Sequence, residues 1–405
     1  MEKPKIRFKS FEKRWESYRL SEYSNYRRGS FPQPYGNKEW YGGDNAMPFV
    51  QVVDVLENLR LVSDTKQKIS TLAQPMSVFV PSDSVIVTLQ GSIGRVAITQ
   101  YDAYVDRTIL IFEDYIYQTN KEFWAYTIRN KFEIERQKAP GGTIKTITKE
   151  ALSDFKVSIP NYSEQSSIGS LFRTLDDLLA SYKDNLANYQ SLKVTMLSKM
   201  FPKAGQTVPE IRLDGFEGEW EEKKLSEIVD IVGGGTPDTN VKEYWDGEIN
   251  WFSPTEVGNS IYLDTSEKRI SELGLQKSSA KILPANRTIL FTSRAGIGSV
   301  GIITKDSTTN QGFQSLVTKK WIDIYFLFSY SSEITRYALK HSAGSTFLEI
   351  SGKELGKMDI IIPSYDEQQA IGTYFSNLDN LINSYQEKIS QLETLKKKLL
   401  QDMFI

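Results

Sequence analysis

The stretch IPNYSEQSSIGSLFRTLDDLLASYKDNLANYQSLKVTMLSKMFP, residues 159–202, returns as IPSYDEQQAIGTYFSNLDNLINSYQEKISQLETLKKKLLQDMFI at residues 362–405. Aligned without gaps, the two copies are identical at 18 of 44 positions, so the chain carries an internal repeat with a period near 203 residues. Each copy opens with a capping-box pattern, at 161–164 and at 364–367, which is typical of a helix start. The repeat therefore predicts two long helices.

Apolar residues follow an alternating spacing of four and three along both predicted helices, and both stripes then shift by three residues. Such a stripe is typical of a coiled coil between the two helices, and packing of each helix on its own globular domain is the alternative. About 37 residues at a rise of ~1.5 Å give a rod of roughly 55 Å, longer than the ~34–36 Å turn of B-DNA. The stripes comprise Ile168, Phe172, Leu175, Leu179, Tyr182, Leu186 and Tyr189, and Ile371, Phe375, Leu378, Ile382, Tyr385, Ile389 and Leu392.

The repeat extends into the segments that precede the helices, where SIGRVAI at 92–98 aligns with GIGSVGI at 296–302. Runs such as Val85–Thr88 and Thr288–Phe291 predict strands, whereas Trp124–Lys131 and Tyr325–Lys340 predict helices. We expect an α+β fold: two mixed α/β domains separated by two long helices that form an antiparallel coiled coil, with a pseudo-twofold internal repeat. The predicted segments are a first domain at 1–158, a central helix at 159–203, a second domain at 204–361 and a C-terminal helix at 362–405.

The composition narrows the classes of function. The 405 residues include no cysteine and one histidine, His341, which excludes disulfides and thiolate zinc sites and nearly excludes histidine-based metal sites. No apolar run approaches the roughly 20 residues of a membrane span, so we expect a soluble cytoplasmic protein with no membrane partner. Residues 1–30 carry nine Lys/Arg against four Glu, and residues 129–149 carry six against two. Each cluster is either ordinary solvated surface or part of a positive face that binds DNA.

Two glycine-containing turns, at 91–94 and 295–298, follow predicted strands in the two halves. Their amides and a neighbouring arginine could hold a phosphate or reach a base edge, but for the glycines we favour a simple strand-to-strand turn. For the polar side chains beside them we favour contact with DNA. NQGFQ at 310–314 is either an adenine reader or a loop that satisfies its own backbone. The candidate DNA-binding residues are Arg27, Arg28, Gln90, Arg95, Ser293, Arg294, Asn310 and Gln311.

No catalytic motif is recognised in the sequence. GGGTP at 233–237 lacks the lysine of a P-loop and the spacing of a dinucleotide fingerprint, and is interpreted as a loop. No Ser/His/Asp set, metal-spaced cluster, amino-methyltransferase tetrapeptide or nuclease motif is found either. We therefore expect no catalytic, cofactor-binding or metal-binding residues. The alternatives are a self-contained DNA methyltransferase or nuclease with unrecognised motifs, and a scaffold that uses the coiled coil for assembly.

The doubled helix motif, with EQ-x-x-I-G followed by F-x-x-L-D, resembles the DNA-specificity subunit of bacterial type I restriction–modification systems, as do GGGTP, TSRAGIGSVGI and NQGF in the second half. The resemblance implies that each domain reads one half of a bipartite target in double-stranded DNA and that the helices set the gap. It also implies two modification subunits that carry S-adenosylmethionine and methylate adenine N6. Motor/endonuclease subunits, which use ATP, would join for cleavage.

The first half departs from these motifs. It reads GSFP at 29–32 where the second half reads GGTP, and it shows no clear counterpart of NQGF. We therefore expect the two halves to meet DNA differently. The polar faces of both helices are predicted docking surfaces for partner subunits, and their members are Lys183, Asp184, Asn188, Lys396, Lys397 and Lys398.

Overall fold

A computed structural model of the chain describes residues 3–138, 152–203, 205–294, 296–344 and 348–404. The chain divides into two compact units, Met1–Asp184 with Glu387–Ile405, and Asn185–Gln386. Each unit combines strands and helices of one half of the repeat with part of both long helices, which confirms the α+β class and the duplicated design. The division falls within the long helices, so the four predicted segment boundaries remain a prediction.

Among its described residues, the first unit contains two four-stranded sheets and a two-stranded one. One sheet is antiparallel in the order β2-β9-β6-β7; the second has the order β4-β3-β8-β5 with β3 and β8 parallel; β1 pairs with β10. The elements are β1 Glu16–Arg19, α1 Leu20–Tyr23, β2 Ser24–Arg28, β3 Met47–Val50, β4 Gln67–Ile69, β5 Val78–Val80, β6 Val85–Thr88, β7 Val96–Ile98, β8 Ala103–Val105, β9 Ile109–Tyr115, α2 Lys121–Lys138, β10 Lys156–Ile159 and the start of the central helix, α3 Tyr162–Lys199.

The second unit repeats this order, with β12-β19-β16-β17 extended by β14, a sheet β15-β13-β18, and the pair β11-β20. Its elements are β11 Glu221–Lys224, α4 Leu225–Ile228, β12 Val229–Gly233, β13 Trp245–Phe252, β14 Tyr262–Leu263, β15 Lys268–Ile270, α5 Glu272–Gln276, β16 Thr288–Phe291, β17 Val300–Ile303, β18 Ser307–Thr309, β19 Gln314–Thr318, α6 Ile324–Ser329, α7 Ser331–His341, α8 Gly352–Leu355, β20 Asp359–Ile362 and the start of the C-terminal helix, α9 Tyr365–Met403. The predicted strands β6 and β16 are confirmed. The helix predicted at 325–340 is instead two helices that meet at Tyr330.

The EQ pair at the start of each long helix fastens the helix to the domain before it. Glu164 is fully buried and accepts hydrogen bonds from Arg7 Nε and Nη2 at 2.6 and 2.7 Å. Glu367, 1% exposed, accepts the same two bonds from Arg212, both at 2.7 Å. A carboxylate withdrawn from water needs such a bidentate cation. The hydrogen bond to each glutamate raises the pKa of its arginine, so both guanidinium groups stay charged.

The glutamine of each EQ pair joins its long helix to a second helix. Gln165 Oε1 accepts the backbone N–H of Asn120, just before α2, at 3.0 Å, and Gln165 Nε2 donates to the carbonyl of Pro160 at 3.0 Å. Gln368 makes the equivalent two contacts with Asp323 and Pro363. These bonds satisfy backbone groups that a helix end leaves without a partner. The segment that the sequence predicts as a helix start thus also connects the long helix to a second helix by hydrogen bonds.

The glycine that follows in each motif allows a close approach. A Cβ on Gly169 would lie 2.3 Å from Oδ1 of Asn120, and a Cβ on Gly372 would lie 2.3 Å from Oδ1 of Asp323. Those two oxygens accept the N–H groups that open α2 and α6, at 2.9 and 2.8 Å. A residue with a side chain would push the capping group away, so glycine is required by space at both positions.

Both long helices end in a Met-Phe pair that is buried in a core. Phe404 belongs to the main core of the first unit, with its ring 5.6 Å from those of Phe123 and Phe172. Phe201 packs in the second unit, 5.5 Å from Phe326 and 6.1 Å from Phe375. Each long helix is therefore held by a buried phenylalanine at its C-terminal end as well as by the EQ motif at its start.

An Asp–Tyr–Lys cluster repeats in the two units. In the first unit, Asp176 accepts hydrogen bonds from the hydroxyl of Tyr126 and from Lys396 Nζ. In the second unit Asp379 accepts from Tyr325, at 2.8 Å, and from Lys193. Burial raises the pKa of both tyrosines and lowers that of Lys396. The aspartate of the L-D motif thus ties a long helix both to its domain and to a lysine of the other long helix.

The paired segments of the long helices run antiparallel within each unit. In the first unit, Asp176 contacts Lys396 while Lys183, further along α3, contacts Glu393, earlier in α9, at 2.6 Å. The stripe residues Ile168, Phe172 and Leu175 also pack in the main domain core of that unit. Helix pairing and packing on the domain therefore both occur. The prediction that Lys396 lies on an exposed docking face is wrong, because its side chain is 12% exposed against Asp176.

Candidate nucleic-acid interface

Three loops of the second unit meet at one place: 233–237 after β12, 292–299 after β16, and 310–313 before β19. Gly235 N donates to Thr309 O at 2.8 Å, and Ser293 N donates to Gly312 O at 2.8 Å. The hydroxyl of Thr236 donates to Gln311 Oε1. We call this group of loops the motif-loop cluster. The structure thus brings together GGGTP, the glycine turn and NQGF, three motifs that are separated in the sequence.

The glycine turn in each unit is held by a threonine. Thr292 Oγ1 donates to Gly296 O at 2.6 Å and accepts from Ser299 N at 2.8 Å. Thr88 Oγ1 makes the equivalent contacts in the first unit, accepting from Arg95 N at 3.0 Å. Gly94, Gly296 and Gly298 have φ values of +81°, +112° and +100°, which side-chain-bearing residues rarely adopt. These glycines therefore shape the turn, and contact of their amides with a phosphate is not tested by this geometry. Residue 295 lies outside the described residues.

The four candidates of the second half fall into two classes. Ser293 is fully buried, so the expectation that its hydroxyl contacts DNA is wrong; the backbone of Ser293 holds the loop instead. Asn310 Oδ1 accepts Gly312 N at 2.8 Å, which is the self-satisfied loop considered as the alternative. Gln311 is exposed, and Arg294 is half-buried. Within the described ranges, no hydrogen bond or ion pair of the Arg294 side chain is found. Arg294 and Gln311 are therefore the two candidates of the second half whose polar side chains reach solvent without holding the loop backbone.

The first unit has a counterpart of NQGF, which corrects the expectation that it has none. Asp106 N donates to Val50 O at 3.0 Å, as Asn310 N does to Phe252 O at 3.0 Å. Asp106 Oδ1 accepts Thr108 N at 2.8 Å, the bond that Asn310 Oδ1 makes with Gly312. The segment 106–108, Asp-Arg-Thr, therefore takes the place of Asn-Gln-Gly at an offset of 204 residues. The same offset relates the two glycine turns, and that spacing was the one available signal in the sequence.

The candidates of the first half also differ in availability. Gln90 is exposed at the position equivalent to Arg294. Arg95 is half-buried; its guanidinium lies 3.6 Å from the Glu57 carboxylate and donates to Val55 O at 3.4 Å. Its counterpart in the second half is a serine, so Arg95 has no equivalent basic residue there.

Arg27 and Arg28 lie exposed on β2, immediately before the loop at 29–32. Arg27 is paired with Glu113 at 2.6 Å. Other basic residues of the segment 1–30 also form ion pairs, including Lys5, Arg7 and Arg19. Sequence charge therefore overstated the free positive surface of this segment. Part of the second basic stretch, 129–149, lies beyond residue 138 and outside the described residues.

Sequence reasoning missed Arg107, at the tip of the segment equivalent to NQGF. Arg107 is exposed, and its guanidinium carbon lies 5.4 Å from the centre of the Tyr35 ring. Burial, and next the hydrogen bond to Asp106, raise the pKa of Tyr35, so the phenol stays a hydrogen-bond donor. A tyrosine and an arginine that are 72 positions apart in the chain gave no local pattern.

Neither a metal centre nor a histidine-based catalytic group is found among the described residues, where no group of three or more His, Asp or Glu could hold a metal ion. His341 is stacked on Tyr337 at 4.0 Å, with Nδ1 2.9 Å from the carbonyl of the same tyrosine. The helices within the described ranges are too short or too polar to cross a membrane.

The chain is similar to proteins of known class. It is 38% identical over 192 residues to the type I restriction enzyme MjaIX specificity subunit of Methanocaldococcus jannaschii, covering 46% of this chain and 44% of that relative. It is 33% identical over 190 residues to the EcoR124I/EcoR124II specificity subunit of Escherichia coli, covering 45% of this chain and 46% of that one. The aligned part of this chain thus spans about half the length of these relatives.

A solved structure supports the fold over the whole chain. The crystal structure of the type I restriction–modification system S subunit from M. genitalium superposes with a TM-score of 0.65 at 15% identity, covering 100% of this chain and 99% of that one. The family model described as the type I restriction modification DNA specificity domain matches residues 12–188 and again residues 217–394. Since the two matches include most of the chain and coincide with the structural repeat, this protein belongs to the type I restriction–modification DNA specificity domain family.

Proposed function

We propose that this chain is a sequence-specific subunit that recognises a bipartite target in double-stranded DNA. The observation that carries the proposal is the motif-loop cluster of the second unit, whose hydrogen bonds at residues 293 and 310–312 recur in the first unit at residues 89 and 106–108. We call the hydrogen bonds that the two units share the frame, and the residues beside them whose side chains reach solvent the tips. The tips differ: they are Gln90 and Arg107 in the first unit and Arg294 and Gln311 in the second. Polar side chains of this kind read base edges, whereas contacts with the DNA phosphate backbone only position the protein on the duplex. Two frames with unlike tips fit an asymmetric target with two different half-sites.

The proposal extends to partners. The chain directs adenine methylation by two modification subunits, which carry S-adenosylmethionine, and DNA cleavage by motor/endonuclease subunits, which use ATP. Catalysis resides in those partners and not in this chain, and the complex acts in the cytoplasm, where chromosomal DNA is accessible. Family membership supports this assignment, and the internal repeat supports two partners of one kind, because it offers every helix surface twice.

The direct test is selection of double-stranded DNA from a random library by the purified chain, alone and together with its modification subunit. We expect enrichment of two unlike half-sites separated by a fixed gap. Arg294→Ala is expected to weaken selection of one half-site only, while Lys305→Ala, an exposed change in the same unit, leaves both unchanged. Enrichment of no motif under either condition would favour the scaffold alternative.

A second assay separates recognition from catalysis. The purified chain is incubated with DNA and labelled S-adenosylmethionine, without any other subunit. We expect no transfer of label to DNA. Methyl transfer by the chain alone would overturn the assignment of catalysis to partners and favour a self-contained methyltransferase.

A further inference from the structure

Three hydrogen bonds that hold the segment around Arg107 recur around Gln311. In each unit the residue before the tip donates its N–H to a strand carbonyl and accepts the N–H two positions later through its side chain. The residue after the tip accepts a backbone N–H from the glycine-turn loop, from Leu89 in the first unit and from Ser293 in the second, both at 2.8 Å. Arg107 and Gln311 are thus the same position of one scaffold with different side chains.

The surroundings of Arg107 hold its side chain in place and leave its donors free. Its guanidinium lies against the face of Tyr35, whose hydroxyl donates to Asp106. Asp106 is 4% exposed and also accepts from Thr108 N and Oγ1, at 2.8 and 2.6 Å. That carboxylate is therefore occupied, and no ion pair or hydrogen bond of the Arg107 side chain is found in the part of the chain that the structure describes. An ordered aromatic surface lowers the entropy that a long arginine loses on binding.

The chemistry of the two tips differs in a defined way. A guanidinium donates twice to O6 and N7 of guanine, whereas a carboxamide donates to N7 and accepts from N6 of adenine. Gln311 is itself oriented by the Thr236 hydroxyl, which donates to Oε1, and no acceptor for its amide hydrogens is found among the described residues. We infer that Arg107 reads a guanine in the half-site of the first unit, at the place where Gln311 reads an adenine in the half-site of the second.

This inference rests on the proposed function, and the library selection tests the two separately. The wild-type chain with its modification subunit is compared with Arg107→Gln, Arg107→Lys and Arg19→Gln, the last an exposed arginine of the same unit. Arg107→Gln is expected to lower the preference for one guanine of the first half-site by about 5- to 150-fold and to leave the second half-site unchanged. Arg107→Lys is expected to lose much of the same preference, because a lysine keeps the charge but not the planar pair of donors.

Two results would overturn the inference while the proposed function stands: an unchanged first half-site in Arg107→Gln, or a weakening that is equal for all sequences, as a phosphate contact would give. A bipartite motif from the wild-type chain establishes recognition independently of Arg107. Absence of any motif from the wild type overturns the proposed function and the inference with it. Circular dichroism spectra that match the wild type show that each variant is folded.

Discussion

Removal of Arg212 tests how the long helices are fastened to their domains. The Glu367 carboxylate is 2% exposed and receives two hydrogen bonds from the guanidinium of Arg212, which is itself 15% exposed. Arg212→Ala leaves that carboxylate buried without its cation. Breaking a buried ion pair from one side costs about 3–5 kcal/mol. We therefore expect the free energy of unfolding of the second unit to fall by about this amount.

The first unit supplies an internal comparison. When Arg7 is removed, Glu164 still accepts the indole N–H of Trp15 at 3.2 Å. The equivalent indole N–H, of Trp220, is buried and makes no hydrogen bond to the described residues. Arg7→Ala should therefore cost less than Arg212→Ala, although the two ion pairs have the same geometry.

Differential scanning calorimetry of the full chain measures the effect. For a unit of about 200 residues, 1 kcal/mol shifts the Tm by roughly 2–4 °C, so a loss of 3–5 kcal/mol lowers it by about 6–20 °C. The control is Lys305→Ala, which removes an ion pair with partners 61% and 63% exposed and should cost less than about 1 kcal/mol. A Tm of Arg212→Ala within the range of this control would refute the reasoning.

Three further changes test other contacts. Gly372→Ala places a Cβ 2.3 Å from Oδ1 of Asp323 and should cost about 1–3 kcal/mol in urea unfolding; Gly36→Ala, where nothing lies within 4 Å, is the control, and equal effects would contradict the packing argument. Thr292→Val removes the two hydrogen bonds of the Thr292 hydroxyl and should destabilise the second unit by about 1–3 kcal/mol, with weaker selection of one half-site. Intact selection would show that this hydroxyl does not position the loop. Burial raises the pKa of Tyr330 from 10.0 to about 12, so the stability that the neutral phenol contributes is complete below pH 10 and is lost as the pH rises toward 12. Tyr330→Phe should therefore reduce the decrease in the free energy of unfolding, measured in urea, between pH 9 and 11. The same pH dependence in the variant and the wild type would contradict the assignment.

The long helices and the duplicated design could be predicted because their signals are local. A capping box and a spacing of four and three report on neighbouring turns of one helix, and both helices begin close to their predicted residues. The break at Tyr330 had no such signal, since apolar spacing continues across it. It depends on the chain turning between α6 and α7, whose residues pack in one core.

The candidate site was harder to predict because its parts are distant in the chain. The ion pair that anchors the first long helix was hidden for the same reason, because Arg7 lies 157 positions from Glu164. Ser293 and Arg294 are neighbours, yet one is buried and the other reaches solvent, because successive side chains of an extended segment point in opposite directions. The counterpart of NQGF shares no residue type with it at positions 106–108 and is visible only through its backbone bonds.

The separation of frame from tip would let one scaffold serve the two unlike half-sites that we propose. The bonds that shape the motif-loop cluster come from backbone groups and from inward side chains such as Thr88, Thr292 and Asp106. Among the described residues, the side chains of Gln90, Arg107 and Arg294 take no part in those bonds, and Gln311 accepts one of them, from the Thr236 hydroxyl. Under the proposed function, we therefore expect a change at a tip to alter which base is bound at little cost to the loop, and a change in the frame to destabilise the fold before it alters the target. The excess of basic residues in 1–30 does not identify the tips, because many of these residues are held in ion pairs. Specificity in this chain is thus expected to vary at the tips, one half at a time.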